Sequence, residues 1–159
     1  MKVIYAGSFD PVTYGHLDII HRAKAIFGEV IVAVLNNKSK PGFFTVEERL
    51  HLLRETLKGE QGIETDHFEG LLVDYAKEKN VDVVVRGLRS NHDFESEYTV
   101  AMANKNYGTN LETVFLLTTQ EHLFISSSLA REVALFNGDT SLFVPDVVGD
   151  AMKEKMRGR

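Results

Sequence analysis

The sequence contains no cysteine and no tryptophan. Without cysteine there is no disulfide and no thiolate metal site, and nothing points to an oxidising, secreted setting. Without tryptophan, a flavodoxin-like redox protein lacks the large ring that would stack on a flavin. An excess of positive charge is also missing. Lysine plus arginine is 18 against 23 for aspartate plus glutamate, a formal net charge of −5. A protein that binds nucleic acid regardless of sequence needs a basic excess, so no nucleic-acid partner is expected. Long apolar runs are absent too. The first run breaks at Gly7, too early for a signal-peptide core or a membrane span. A soluble, cytoplasmic protein with no membrane partner is the expectation. There is no internal repeat, no low-complexity stretch and no linker.

What is present alternates between two kinds of segment. The length, 159 residues, fits one domain over 1–159 and is enough to bury roughly two thirds of the unfolded surface. Short β-branched runs at 3–6, 30–35, 81–85 and 113–117 are almost continuously apolar, as in parallel strands covered on both faces. A run at 63–68 alternates with Glu64 and Asp66 and reads as a more exposed strand. Helical patterns lie between them. Leu17, Ile20, Ala23 and Phe27 recur at helical spacing and Gly28 stops them. Thr45 to Glu48 is a capping-box signature before Val46, Leu50, Leu53 and Leu57. Leu72, Tyr75 and Ala76 suggest a third helix, and Phe94, Tyr98 and Ala101 a fourth, capped within 90–93. Ser126 or Ser127 caps a fifth with Leu129, Val133 and Phe136 inward, and a tail helix covers 151–156. Strand and helix in turn predict an α/β, Rossmann-like fold: a five-stranded parallel sheet with helices on both faces. Right-handed crossovers place every strand's C-terminal end on one edge, where such sheets bind ligands near the switch in strand order.

The segments that follow the strands are therefore the informative ones. After the first comes GSFDPVTYGH, residues 7–16. Gly7 permits close backbone approach, Ser8 supplies a hydroxyl, and Asp10-Pro11 forces a turn. Gly15 lets His16 open a helix, whose free N–H groups and positive dipole end suit a phosphate. After the second strand come Lys38 and Lys40. After the fourth come Arg86 and Arg89, and a pair of planar guanidinium forks makes an anion clamp. After the fifth come Ser126, Ser127 and Ser128 with Arg131 one turn in, another place for an anion. Each signal has a plainer reading as a turn, a cap or a solvated surface. All four, however, fall on one predicted edge, and all four favour phosphate. Together they point to a polyphosphate or nucleotide site.

GSFDPVTYGH, read with ISSSLAR at 125–131, resembles the signature pair of the nucleotidyltransferase superfamily with a T/H-x-G-H motif and an ISSxxxR-type motif. SKPGFFTVEER, RGLR followed by DFESEY, and FISSS are similar to the phosphopantetheine adenylyltransferase family within it, over essentially the whole chain. The resemblance implies transfer of AMP from ATP to 4′-phosphopantetheine, giving dephospho-coenzyme A and pyrophosphate. It implies Mg²⁺ as cofactor and a homo-oligomer, commonly a homohexamer. It places Thr13, Gly15 and His16 on the motif, with His16 at the ATP phosphates. Ser8, where relatives usually carry threonine, would bind both ligands. Lys40 and Arg86 would hold the acceptor's phosphate, and Leu72, commonly methionine in relatives, the pantetheine arm. Phe9, Gly87, Leu88, Arg89 and Glu97, with His122, Leu123, Phe124, Ile125, Ser126, Ser127 and Ser128, would form the ATP site. Position 122 is tryptophan in some relatives.

The implied chemistry suits these residues. The nucleophile is a phosphate dianion already ionised at neutral pH, so no general base is required. Placing two anions in line and neutralising charge at the α-phosphorus is the whole task, and His16, Lys40, Ser8, Arg89 and Mg²⁺ would share it. Competing readings are a transferase using nicotinamide mononucleotide or CTP, against which the RGLR and SKP segments stand, and a non-catalytic nucleotide sensor, against which His16 and both arginines stand.

Overall fold

A computed structural model of the chain describes residues 1–36, 42–107 and 110–158. Five strands, β1 (Lys2–Gly7), β2 (Glu29–Leu35), β3 (Ile63–Phe68), β4 (Val83–Leu88) and β5 (Glu112–Leu117), form one sheet in the order β3-β2-β1-β4-β5. Every pairing is parallel. The helices are α1 (Tyr14–Phe27), α2 (Val46–Thr56), α3 (Leu72–Glu78), α4 (Asn91–Asn106), α5 (Ser127–Leu135) and α6 (Asp146–Arg157), with a 3₁₀ turn at Gln120–His122.

Strand alternation divides the core into two layers. Val3, Tyr5, Val30, Val32, Val34 and Val85 meet Ile19 and Ile20 of α1, Leu53 of α2, Ala130 of α5 and Met152 of α6. Ile4, Ala6, Ile31, Ala33 and Val84 point the other way, onto Val73, Tyr75 and Ala76 of α3. Full burial of one such aliphatic side chain contributes roughly 1.5–3 kcal/mol, while a helix cap contributes about 1 kcal/mol. Packing therefore holds the helices, and caps decide where they begin. Thr45 and Glu48 form the reciprocal box expected of α2, and Ser90 and Ser126 cap α4 and α5.

Some boundaries differ from the sequence expectation. The fourth strand runs on through Arg86 and Gly87, because Val83 to Leu88 pair residue by residue with β5. Val81 precedes it as a buried anchor. The tail helix starts earlier, at Asp146 after Pro145, and buries Val148 and Met152 one turn apart. Phe136 does not face inward. It is the C-cap of α5 and is 80% exposed, while Ala130 and Ala134 are the buried residues of that helix. The strand order turns back between β1 and β4, so the ends of these two strands lie side by side at the switch point.

Candidate active site

The turn between β1 and α1 is held from three sides. The buried Asp10 carboxylate accepts the Phe43 N–H at 2.7 Å and the Phe44 N–H at 2.9 Å, which ties the turn to the start of α2. From α2, buried Arg49 donates to the Ser8 carbonyl at 2.9 Å. From α5, Ser127 Oγ donates to the Pro11 carbonyl at 2.7 Å, and Arg131 Nη1 donates to the Asp10 carbonyl. Ser8 itself stays exposed.

His16 is oriented by the cap of its own helix. Its Nδ1 accepts the Thr13 N–H at 3.1 Å and lies 3.1 Å from Thr13 Oγ1. A neutral imidazole that accepts at Nδ1 carries its proton on Nε2. Burial, and then the charges of Arg89 and Arg86, push this imidazole down to about 4. At neutral pH it is an uncharged Nε2–H donor with a fixed tautomer. Its ring packs edge-on against Phe9, centroids 4.9 Å apart, and Phe9 accepts a left-handed φ of 45° to sit there.

Arg86 is preorganised as well. Nε and Nη2 each donate to a Glu97 oxygen at 2.6 Å, and Nη1 donates to the Ala6 carbonyl. Two of its five N–H groups remain for a ligand. Gly87 keeps this strand end close to α1, because a methyl there would lie 2.9 Å from Ile19 Cγ1. Arg89 donates to the Ile125 carbonyl at 3.1 Å and faces Asp93 at 3.4 Å.

These residues surround two adjoining cavities. The first, about 330 Å³, is bounded by His16, Gly87, Arg89, Thr118, Ser126–Ser128 and Arg131, and is rich in cationic groups. The second, about 270 Å³, is mostly apolar, bounded by Leu35, Phe68, Leu72, Val84, Val100 and Ala101. Ala6, Gly7, Ser8, Arg86 and Glu97 line both. One cavity thus suits a charged nucleotide, the other suits an apolar arm, and a hydroxyl and a guanidinium stand where they meet.

The pattern of the Cytidylyltransferase-like family matches residues 4–133. Phosphopantetheine adenylyltransferase of Caldanaerobacter subterraneus subsp. tengcongensis is 47% identical over 97% of this chain and 96% of its own length. The enzymes of that name from Carboxydothermus hydrogenoformans and Alkaliphilus metalliredigens are 50% and 49% identical over 97% and 98% of this chain, and 95% and 99% of theirs. The chain belongs to the phosphopantetheine adenylyltransferases of the cytidylyltransferase-like family. A crystal structure of a lipopolysaccharide core biosynthesis protein from Thermoplasma volcanium shares the fold at a TM-score of 0.56 and 19% identity, over 76% of this chain and 98% of that one.

The residues picked out by likeness to these adenylyltransferases distribute unevenly around the cavities. Ser8, His16, Arg86, Gly87, Arg89, Glu97 and Ile125 to Ser128 line the first, and Ser8, Arg86, Glu97 and Leu72 the second. Phe9 and Leu88 are buried and line neither. His122 ends the 3₁₀ turn with Nδ1 2.8 Å from Thr119 Oγ1, and Leu123 and Phe124 follow it as exposed side chains outside both linings. Lys40 lies outside the described residues. Ser126, Ser127 and Ser128 each use their hydroxyl within the chain: Ser126 accepts from Leu129 N–H, Ser127 donates to Pro11, and Ser128 accepts from Arg131. The donors left there are the N–H groups of Ser127 and Ser128 in the first turn of α5 and the O–H groups of Ser126 and Ser128, which only accept within the chain. Sequence reasoning missed Tyr5, Thr118, Val100 and Asn104. Helical spacing held the signal for two of them, since positions 97, 100, 101 and 104 fall on one face of α4.

Proposed function

We infer that this protein transfers the AMP part of ATP to the phosphate of 4′-phosphopantetheine, releasing pyrophosphate and forming dephospho-coenzyme A. The observation that carries this reading is the pair of cavities meeting at Ser8 and Arg86. In this reading ATP fills the cationic cavity and the pantetheine arm the apolar one, so the acceptor's phosphate meets the α-phosphorus at their junction. His16 Nε2–H, Arg89 and the free N–H groups of α5 offset charge that builds on the phosphates. Arg86 and Lys40 hold the acceptor's phosphate, Ser8 touches both ligands, and Leu72 contacts the arm. Attack is direct and in line, because a phosphate dianion needs no activation and positioning supplies most of the effect.

Magnesium enters this reading as part of the substrate, MgATP. Among the described residues no group of three or more metal-ligating side chains forms. The carboxylates of the first cavity face arginines, Glu97 with Arg86 and Asp93 with Arg89. Magnesium commonly relies on substrate phosphates and water for most of its ligands.

No described helix is long and apolar enough to cross a membrane, and we place the protein in the cytoplasm. We also propose a homo-oligomer, in keeping with a homohexamer. Helix α4 buries none of its residues and leaves Phe94, Tyr98 and Met102, one turn apart along one face, substantially exposed, a face that a second copy would cover.

The test is pyrophosphate release from MgATP with three acceptors offered separately: 4′-phosphopantetheine, nicotinamide mononucleotide and glycerol 3-phosphate, each repeated with MgCTP. Release only with MgATP and 4′-phosphopantetheine supports the reading. Release with another acceptor, or preference for CTP, replaces it.

A further inference from the structure

Tyr5 sits in the middle of β1 and would pass for a core residue. Its ring is fixed on the α1 side of the sheet, edge-to-face with Phe9 at 5.3 Å between centroids, with the His16 ring at 6.4 Å. Pairing of β1 with β4 sets Tyr5 opposite Val85, and the phenol reaches on toward the strand end. A methyl at Gly87 would lie 3.7 Å from the Tyr5 hydroxyl. There the side chain joins the wall of the cationic cavity. A tyrosine this deeply buried normally gives its hydroxyl a partner. Among the described residues no hydrogen bond to it forms. Nor is it sealed off, because among all the described residues only Thr56 Oγ1, at the far end of α2, is a side-chain polar atom both enclosed and unpaired. The hydroxyl therefore opens into the cavity as an unused donor.

We propose that Tyr5 is a further substrate-contacting residue, whose hydroxyl donates a hydrogen bond to a phosphate oxygen of bound ATP. Burial pushes the phenol well above its ordinary range, despite the Arg86 charge that opposes this, so the group stays protonated and can only help an acceptor as a donor. Of the charged groups that act on it, the carboxylates are already engaged, Glu97 by Arg86 and Asp18 by Arg22, while His16, Arg86 and Arg89 offer only donors to a ligand at neutral pH, and an anionic oxygen is what such donors bind. This inference rests on the nucleotide reading above.

The experiment compares wild-type protein with Tyr5→Phe, which keeps the ring and its contacts with Phe9. Affinity for MgATP is measured by calorimetry, adenosine by its inhibition constant, the acceptor by its KM, and folding by Tm. A hydrogen bond to a charged group is worth about tenfold or more in affinity, so MgATP binding should weaken by that factor. Adenosine inhibition, acceptor KM and Tm should stay at wild-type values. Unchanged MgATP affinity would overturn the proposal. Equal weakening of adenosine would overturn the phosphate assignment. Loss of affinity for both substrates together with a lower Tm would reduce Tyr5 to a packing role. Failure of the wild-type protein to bind MgATP would instead overturn the nucleotide reading, and this inference with it.

Discussion

At the residue scale the site depends on groups whose orientation is fixed before a ligand arrives. His16 shows this most simply. Its Nδ1 is occupied by Thr13, which leaves Nε2–H as the one aimed donor, and replacing His16 removes that donor together with the partner of the Thr13 N–H. His16→Ala should cost about a hundred- to thousandfold in kcat and much less in MgATP affinity; kcat close to wild type would remove His16 from the mechanism. The same residue carries a pH signature. Its folded value, about 4, lies below the roughly 6.5 of an unfolded histidine. Between those values the unfolded chain binds the extra proton, so His16 makes stability fall as pH drops through that window and rise again as pH is restored. A proton NMR titration of the His16 ring checks this, and a midpoint near the unfolded value would contradict it. Arg86 and Glu97 act as one unit. Arg86→Lys keeps a charge but cannot bind both Glu97 oxygens and the Ala6 carbonyl at once. Arg86→Lys and Glu97→Gln should each raise the acceptor KM by roughly tenfold or more, and the double variant should be little worse than Arg86→Lys alone. Additive losses, or a rise confined to the KM for ATP, would show that Glu97 serves the nucleotide by itself. Sequence reasoning named both residues but assigned them to different ligands. Their pairing joins a strand to a helix through tertiary structure, and local pattern carries no trace of that. Tyr5 was hidden for the opposite reason, since an aromatic residue in an apolar strand looks like packing alone.

At the element scale most of the architecture was legible, because it depends on local signals. The apolar runs gave the strands, Thr45 and Glu48 gave the start of α2, and Gly28 gave the end of α1. Polar and small residues concealed the rest. Arg86 and Gly87 look like the end of a strand, yet pairing with β5 carries β4 past them. The phosphate-favouring serines were legible as a helix start, but not that the chain itself would engage all three hydroxyls. Nor was it visible that the β1–α1 turn is the junction of the site's two halves. Asp10 binds the segment that enters α2, while the carbonyls of Asp10 and Pro11 receive Arg131 and Ser127 from α5. Asp10→Ala should therefore destabilise the fold by roughly 3 kcal/mol, from two charge-assisted hydrogen bonds and two orphaned N–H groups. A shift in denaturant midpoint at constant slope measures it. No shift would mean that the turn is held by packing alone.

At the scale of the whole molecule, the order β3-β2-β1-β4-β5 brings the Ser8 turn beside Arg86, and the site follows from that reversal. Helix α4 turns its exposed face, with Phe94, Tyr98 and Met102, outward and a neighbouring face, with Val100 and Ala101, onto the apolar cavity. The proposed assembly face and the proposed acceptor cavity are thus adjacent on one helix. Sedimentation should show a homo-oligomer at micromolar concentration, weakened by Met102→Glu; a monomer under those conditions would contradict the proposed assembly. The central claim concerns the path of one phosphorus atom, and it is tested most directly by following that atom. Protein is incubated with MgATP radiolabelled at the α-phosphorus and with 4′-phosphopantetheine, and the products are separated. The account predicts that the label passes into dephospho-coenzyme A, one for one with pyrophosphate, and that none is held on the protein when the acceptor is left out. Label appearing as free AMP, remaining bound to the protein, or never reaching the acceptor would contradict it.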